Sequence, residues 1–179
     1  MGQSASLYQV TNADFLRIAG NSDNLDLFDI AKTNQYFDKS FEGLRFVLLK
    51  GRDSETAQLV QEIFYPTLFL GEKIDYANFD FENAPDDFDF ESTACHYHDP
   101  AKVALINQFL DSVSDEDFVR SFDPDELNAS DVYPGDVWNT ETGDDYAFNA
   151  THMLQEFINL KEIFKSAAIG KDYIFCTIG

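Results

Sequence analysis

Cys95, His96, His98 and Asp99 fall within five positions of one another in STACHYHDP, residues 92–100. Each of these residue types can hold a transition metal or move a proton. On an extended chain His96 and His98 share one face, while Cys95 and Tyr97 take the other. Two histidines at that spacing can share a metal, but a tetrahedral site needs two more ligands. Asp99 precedes Pro100 and reads as a helix N-cap, which commits its carboxylate to backbone amides. His152 is the only other histidine, and nothing in the sequence brings it near. The stretch therefore reads as a strand whose polar face meets solvent or helix ends. No metal or other cofactor is implied. The same alternation keeps His96 from activating the Cys95 thiol.

Other chemistries leave equally little trace. The chain has no G-x-S-x-G elbow, no phosphate-binding Walker loop and no G-x-G-x-x-G. Its acids lack the spacing and central glycine of an EF-hand loop. Carboxylate pairs are so numerous that no single pair is informative. The balance falls against an enzyme, with no catalytic residue assigned.

Charge is the strongest signal. The 33 acids and 12 bases give a net charge of −21. Between Asp75 and Asp145 there are 20 acids, against Lys102 and Arg120 alone. Such a field repels nucleic-acid phosphate and anionic lipid and attracts basic proteins. Within it, YANFDFENAPDDFDFES (76–92) alternates acids with aromatics. Read as strands, Phe79 and Phe81 share one face, Phe88 and Phe90 repeat the pattern, and residues 83–86 turn the chain. The rival reading is an acidic-aromatic disordered segment. Asp80, Glu82, Asp86, Asp87 and Asp89, free of any capping role, are the candidate binding residues for a basic protein partner.

The remaining composition places the chain among soluble cytoplasmic proteins. No apolar run approaches the roughly 20 residues that span a bilayer. Two cysteines are too few for a disulfide scaffold, and no secretory signal precedes them. MGQSAS fits a myristoylation acceptor, but no polybasic segment supplies a second membrane signal.

Periodicity and capping residues lay out the elements. SASLYQV (4–10) is a strand, and Thr11 with Asp14 opens a helix running to Gly20. Leu25 to Ile30 form a helical turn. In NQYFDKSFEGLRFVLLKG the residues Phe37, Phe41, Leu44 and Leu48 recur at helical spacing and predict one helix, capped by Gly51. A helix over 54–64 ends before Pro66, and TLFLGEKI is either strand or loop. Asp99-Pro100, Ser114-x-x-Asp117 and Asp123-Pro124 start three further helices. Val103, Ile106, Leu110 and Val113 form the buried stripe of the first. After a loop holding Trp138, a helix over 146–169 buries Leu154, Phe157, Ile158, Phe164 and Ala168 and is capped by Gly170. DYIFCTI is apolar on both faces and reads as a central strand. The result is one α+β domain over residues 1–179. Its small central sheet includes the N- and C-terminal strands and is packed by several helices.

Two stretches carry a resemblance. FDKSFEGLRFVLLKG (37–51) resembles the Asp-Lys-aromatic-x-x-Leu-x-x-Leu-Leu-x-Gly helix of the YfbM-like bacterial family, the domain of unknown function 1877. Residues 94–138 resemble that family's second half: a strand leading into a helix, a Ser-x-Glu/Asp turn of helix, an Asp-Pro helix, and a Tyr-Pro element near a Trp. Arg45 stands where the family pattern has His, and Phe41 where Trp is common. The 76–92 excursion is the part least matched. The resemblance implies a single cytosolic α+β domain and no established activity, cofactor or catalytic residues.

Two functions remain open. One is an acidic protein-interaction module, such as a neutraliser or immunity partner of a basic protein. The other is an enzyme of unknown reaction, with its pocket near Trp138 and the polar end of the sheet.

Overall fold

Alternation along SASLYQV builds the first strand, β1 (Ser4–Val10), which buries Ala5 and Leu7 on one face and Val10 on the other. Thr11 accepts from the Asp14 amide and opens α1 (Asn12–Ala19), as its sequence requires. The computed structural model describes residues 2–20, 27–72, 94–143 and 145–179. The predicted strands of 76–92 lie outside these, as do the candidate acids Asp80, Glu82, Asp86, Asp87 and Asp89. After β1 and α1 come α2 (Leu27–Ile30), β2 (Thr33–Asp38), α3 (Phe41–Leu49), α4 (Ser54–Glu62) and β3 (Leu68–Leu70). Then follow β4 (Cys95–His98), α5 (Pro100–Ser112), α6 (Asp115–Ser121), α7 (Pro124–Ala129), α8 (Ala150–Gly170) and β5 (Tyr173–Ile178).

The strands form one sheet in the order β2-β1-β5-β4-β3, with every neighbouring pair antiparallel. β1 and β5 lie side by side in its middle, tied at one end by reciprocal backbone bonds between Ser4 and Gly179 of 2.6 and 3.1 Å. Both faces of β5 are covered, as its unbroken apolar run requires. Ile174 and Cys176 face the larger helical layer of α3, α4, α5 and α8, in one core with Leu7, Leu44, Leu110 and Phe164. Phe175 faces the smaller layer, where Phe15 and Ile18 of α1 and Leu27 of α2 pack. The Phe15 ring stacks on Tyr173, with centroids 3.7 Å apart.

The helix expected to include Phe37 begins later. Phe37 belongs to β2, and the chain turns through Lys39, at φ 60°, before α3 starts at Phe41. The spacing of four was misleading because an inward strand residue and the first inward helix residue meet the same partner. Both rings make edge contacts with Phe64, at 5.4 and 5.6 Å. Ser40 precedes α3 but does not cap it; its hydroxyl donates to the buried Glu156 carboxylate at 2.6 Å.

The last helix is also displaced. It opens at Ala150 behind the Asn149 cap, four residues later than its periodicity suggested. Its fully buried seam is Met153, Phe157, Leu160, Phe164 and Ala167, while Leu154, Ile158 and Ala168 sit at its flank, half-buried. The left-handed residue after it is Lys171, at φ 53°, rather than Gly170. Gly170 is needed for space: a Cβ there would meet the Asp172 carboxylate at 2.3 Å. Asp172 is itself held by the Gln9 side-chain amide at 2.6 Å.

Gly43 serves a similar purpose on α3, because a Cβ at that position would lie 2.2 Å from the Trp138 ring. Trp138 is 3 % exposed, and its indole N–H donates to the Val132 carbonyl at 2.9 Å. The Asn128 side chain brackets the Trp138 backbone with two further bonds. Trp138 is thus a core wedge between α3 and the loop after α7.

Leu44 is fully buried at the centre of the larger core. Its truncation to Ala is expected to cost about 2–5 kcal/mol. Denaturant unfolding of Leu44→Ala within ~0.5 kcal/mol of the parent would contradict this packing.

Candidate functional site

The chain leaving α4 presents the carbonyls of Ile63, Phe64 and Pro66, which the helix itself does not bond. Side chains of the sheet bond them instead. His98 donates from Nε2 to the Ile63 carbonyl at 3.1 Å, Cys176 from Sγ to Phe64 at 3.0 Å, and His96 from Nδ1 to Pro66 at 2.9 Å. A carbonyl only accepts, so each ring nitrogen named here carries the proton. The histidine pair therefore meets a helix end, as its spacing on a strand allowed. Its face points into the larger helical layer rather than to solvent, because His96 lies opposite Cys176 and His98 opposite Ile174.

Burial fixes the protonation of these groups. His98 is 2 % exposed, and desolvation pushes it down from 6.5 to about 4, against the raising effects of the Ile63 carbonyl and Glu62. Burial pushes the Cys176 thiol up to about 12 and also raises Cys95. Neither cysteine is a thiolate nucleophile at neutral pH. Beside His98, burial raises the Glu62 carboxyl, but hydrogen bonds from Lys102 and Gln58 and the Lys102 charge outweigh that and leave it lowered. The Lys102 ammonium sits 2.5 Å from the Glu62 carboxylate. Among the described residues no group of three or more His, Cys, Asp or Glu is placed to hold a metal.

A second cluster joins α3 to the same turn. The Tyr65 hydroxyl donates to Glu42 at 2.5 Å, and Arg45 donates to the other Glu42 oxygen through Nε at 2.8 Å and through Nη2. The guanidinium also lies over the Tyr65 ring, 5.4 Å from its centroid. Burial, reinforced by the Glu42 bond, raises the Tyr65 phenol to about 12.

Cavities flank this cluster on two sides. One, of about 490 Å³, is lined by Phe64, Tyr65, Pro66, Ala94, His96, Cys176, Thr177 and Ile178 at one end of the sheet. The other, of about 350 Å³, lies between α3 and residues 130–133; Glu42 and Arg45 line it together with Phe46, Leu49, Asp131 and Tyr133. Trp138 lines neither, and the second cavity's Val132 wall stands on its indole N–H. Sequence reasoning missed the Glu42–Arg45–Tyr65 cluster. The i, i+3 spacing of Glu42 and Arg45 was a signal, but no local pattern brings Tyr65 to them.

Two comparisons place this geometry. The sequence profile described as "Domain of unknown function (DUF1877)" matches residues 1–176. The chain belongs to this family. The YfbM protein of Escherichia coli, described as a protein of unknown function, superposes with a TM-score of 0.61 at 12 % identity, over 98 % of this chain and 99 % of that one. At that identity the likeness concerns the fold alone. No curated protein sequence matches the chain. The expected family and the α+β fold, with terminal strands in one sheet, both hold. Among the described residues no helix is long and apolar enough to cross a membrane.

Because the unfolded chain protonates His98 near 6.5 and the folded one only near 4, stability present above pH 6.5 is lost as pH falls through that window. The loss attributable to His98 is on the order of 3 kcal/mol. A His98→Gln variant is expected to lose less over the same range. NMR titration placing the folded His98 value near 6.5 would refute the assignment.

Tyr65 is expected to ionise near 12, above the ordinary 10 of a phenol. Subtracting the ultraviolet titration of Tyr65→Phe isolates it, and a difference band centred near pH 10 would show that the Glu42 bond does not hold in solution.

Proposed function

We propose that this protein is a cytoplasmic docking module whose acidic face binds a basic protein. The observation that carries the reading is the state of the acids between Asp111 and Asp145. Glu116, Asp125, Asp131, Asp136, Glu141 and Asp145 are exposed and make no ion pair among the described residues. Among the described residues of that stretch, Asp115, Asp117 and Glu126 are paired, with Lys161, Arg120 and Lys50. Unpaired exposed carboxylates of one sign steer a cationic partner and repel phosphate-bearing ones. Asp80, Glu82, Asp86, Asp87 and Asp89 lie outside the described residues, and the sequence alone offers them to the same partner. Partner classes that fit are cationic proteins in need of neutralisation.

A second reading is favoured by the cavity at the end of the sheet. Its size suits a small molecule, and its walls are mainly apolar with His96 and Tyr65 among them. Among the described residues only Nδ1 of His96 is bonded, to Pro66, which would let Nε2 meet a ligand. This reading takes the place of a pocket centred on Trp138.

The test is capture from a lysate of the native source at low and high salt, with two charge-neutral variants. One carries Asp80, Glu82, Asp86, Asp87 and Asp89 as Asn or Gln; the other carries Glu116→Gln, Asp125→Asn and Glu141→Gln. The expected result is a basic protein whose capture fades between about 0.1 and 1 M salt, as the Debye length shrinks from roughly 10 to 3 Å. Both variants are expected to capture less. A partner held equally by both variants at high salt would leave the charge to solubility alone.

A further inference from the structure

We infer that the cavity between α3 and residues 130–133 takes an arginine side chain of the partner and is the anchor point of the acidic face. The inference rests on the docking reading above and adds a location and a ligand chemistry to it. The cavity has one wall in the acidic stretch and the other on α3. Its charges do not all cancel. Glu42 is matched by Arg45, which grips one of its oxygens through two nitrogens, and the other oxygen is filled by Tyr65. What remains is Asp131, exposed and without an ion pair among the described residues. Lining the cavity, then, the uncompensated charge is one carboxylate, within the field of a chain of net −21.

The other walls select among cations. Phe46, Leu49 and Val132 are half-buried and apolar, which suits an aliphatic stem. Tyr133 adds a second ring, fixed by the Gln3 amide donating to its oxygen at 2.5 Å. Phe46 already carries a cation, with the Lys50 ammonium 5.3 Å from its centroid. A guanidinium stacks on aromatic faces, is weakly hydrated and pairs with a carboxylate through two parallel bonds. An ammonium keeps its water more tightly and has no flat face. Arginine thus fits these walls better than lysine. The backbone that carries this carboxylate is held in a turn: Asp131 is in the left-handed conformation at φ 50°, its amide bonded to the Asn128 carbonyl at 3.0 Å.

Nα-acetylarginine amide is the direct probe, followed by amide NMR of the full chain, with the citrulline analogue as its uncharged match. Saturable shifts at Asp131, Phe46 and Val132 are expected, with a Kd on the order of 1–10 mM. The citrulline analogue should bind at least ~10-fold more weakly, and so should arginine to Asp131→Asn. Absence of saturable shifts, equal binding of citrulline, or undiminished binding by a folded Asp131→Asn would each overturn the pocket. Capture of the basic partner by Asp131→Asn at parental strength would overturn its role as anchor. The acidic face fails separately, through the salt test, so the two ideas can fall independently.

Discussion

The end of α4 is the joint on which the larger layer is assembled. A helix that stops against a sheet buries carbonyls it cannot satisfy, and each left alone costs on the order of 1–3 kcal/mol. Here three side chains from the adjacent strands β4 and β5 reach the carbonyls of Ile63, Phe64 and Pro66, just past the end of α4. The bonds fix how far α4 sits from β4 and β5. That spacing sets the position of Phe64, against which Phe37 and Phe41 pack. It also sets the position of Tyr65, which reaches across to α3. The polar cluster and the cavity at the end of the sheet follow from this one docking.

Much of the architecture was legible because it is written locally. Thr11, Asp53, Asp99, Ser114 and Asp123 all cap helices with their own side chains, and each lies in a short recognisable pattern. The apolar run at Tyr173–Ile178 announced a central strand. What failed was any inference needing two elements at once. Phe37 and Phe41 share a partner contributed by α4, so their spacing mimicked one helix. Met153 rather than Leu154 faces the core because the seam of α8 is set by α5 and the sheet, which periodicity alone leaves open by about one residue. The site was less legible still. His96 and His98 were visible as a pair, yet their acceptors lie 30 and 35 positions away.

Acidity in this chain has two roles that local geometry separates. Asp99 and Asp123 accept backbone amides at helix starts, where the helix dipole also favours a negative charge. Asp172 is the converse: it is buried just past the end of α8, where the dipole disfavours it, and the Gln9 amide and Lys32 offset that cost. Acids with such duties are fixed by folding. Those of α6, α7 and the following loop that lack them are free to meet another molecule.

Placing β1 and β5 together in the middle of the sheet bears on how the protein is made. Ser4 and Gly179 are 175 positions apart, yet their backbones are bonded. A chain growing from its first residue makes the β2–β1 hairpin early and β4 much later. β5, the strand that joins these two halves, follows both of them in the sequence and so is made later than either. Until then each half presents an open edge that β5 will fill, while the core facing α8 stays incomplete. Long-range pairing of this kind slows folding and prolongs exposure of apolar surface. A chain carrying so many like charges is well suited to that interval, because its unfinished copies repel one another before their edges can meet.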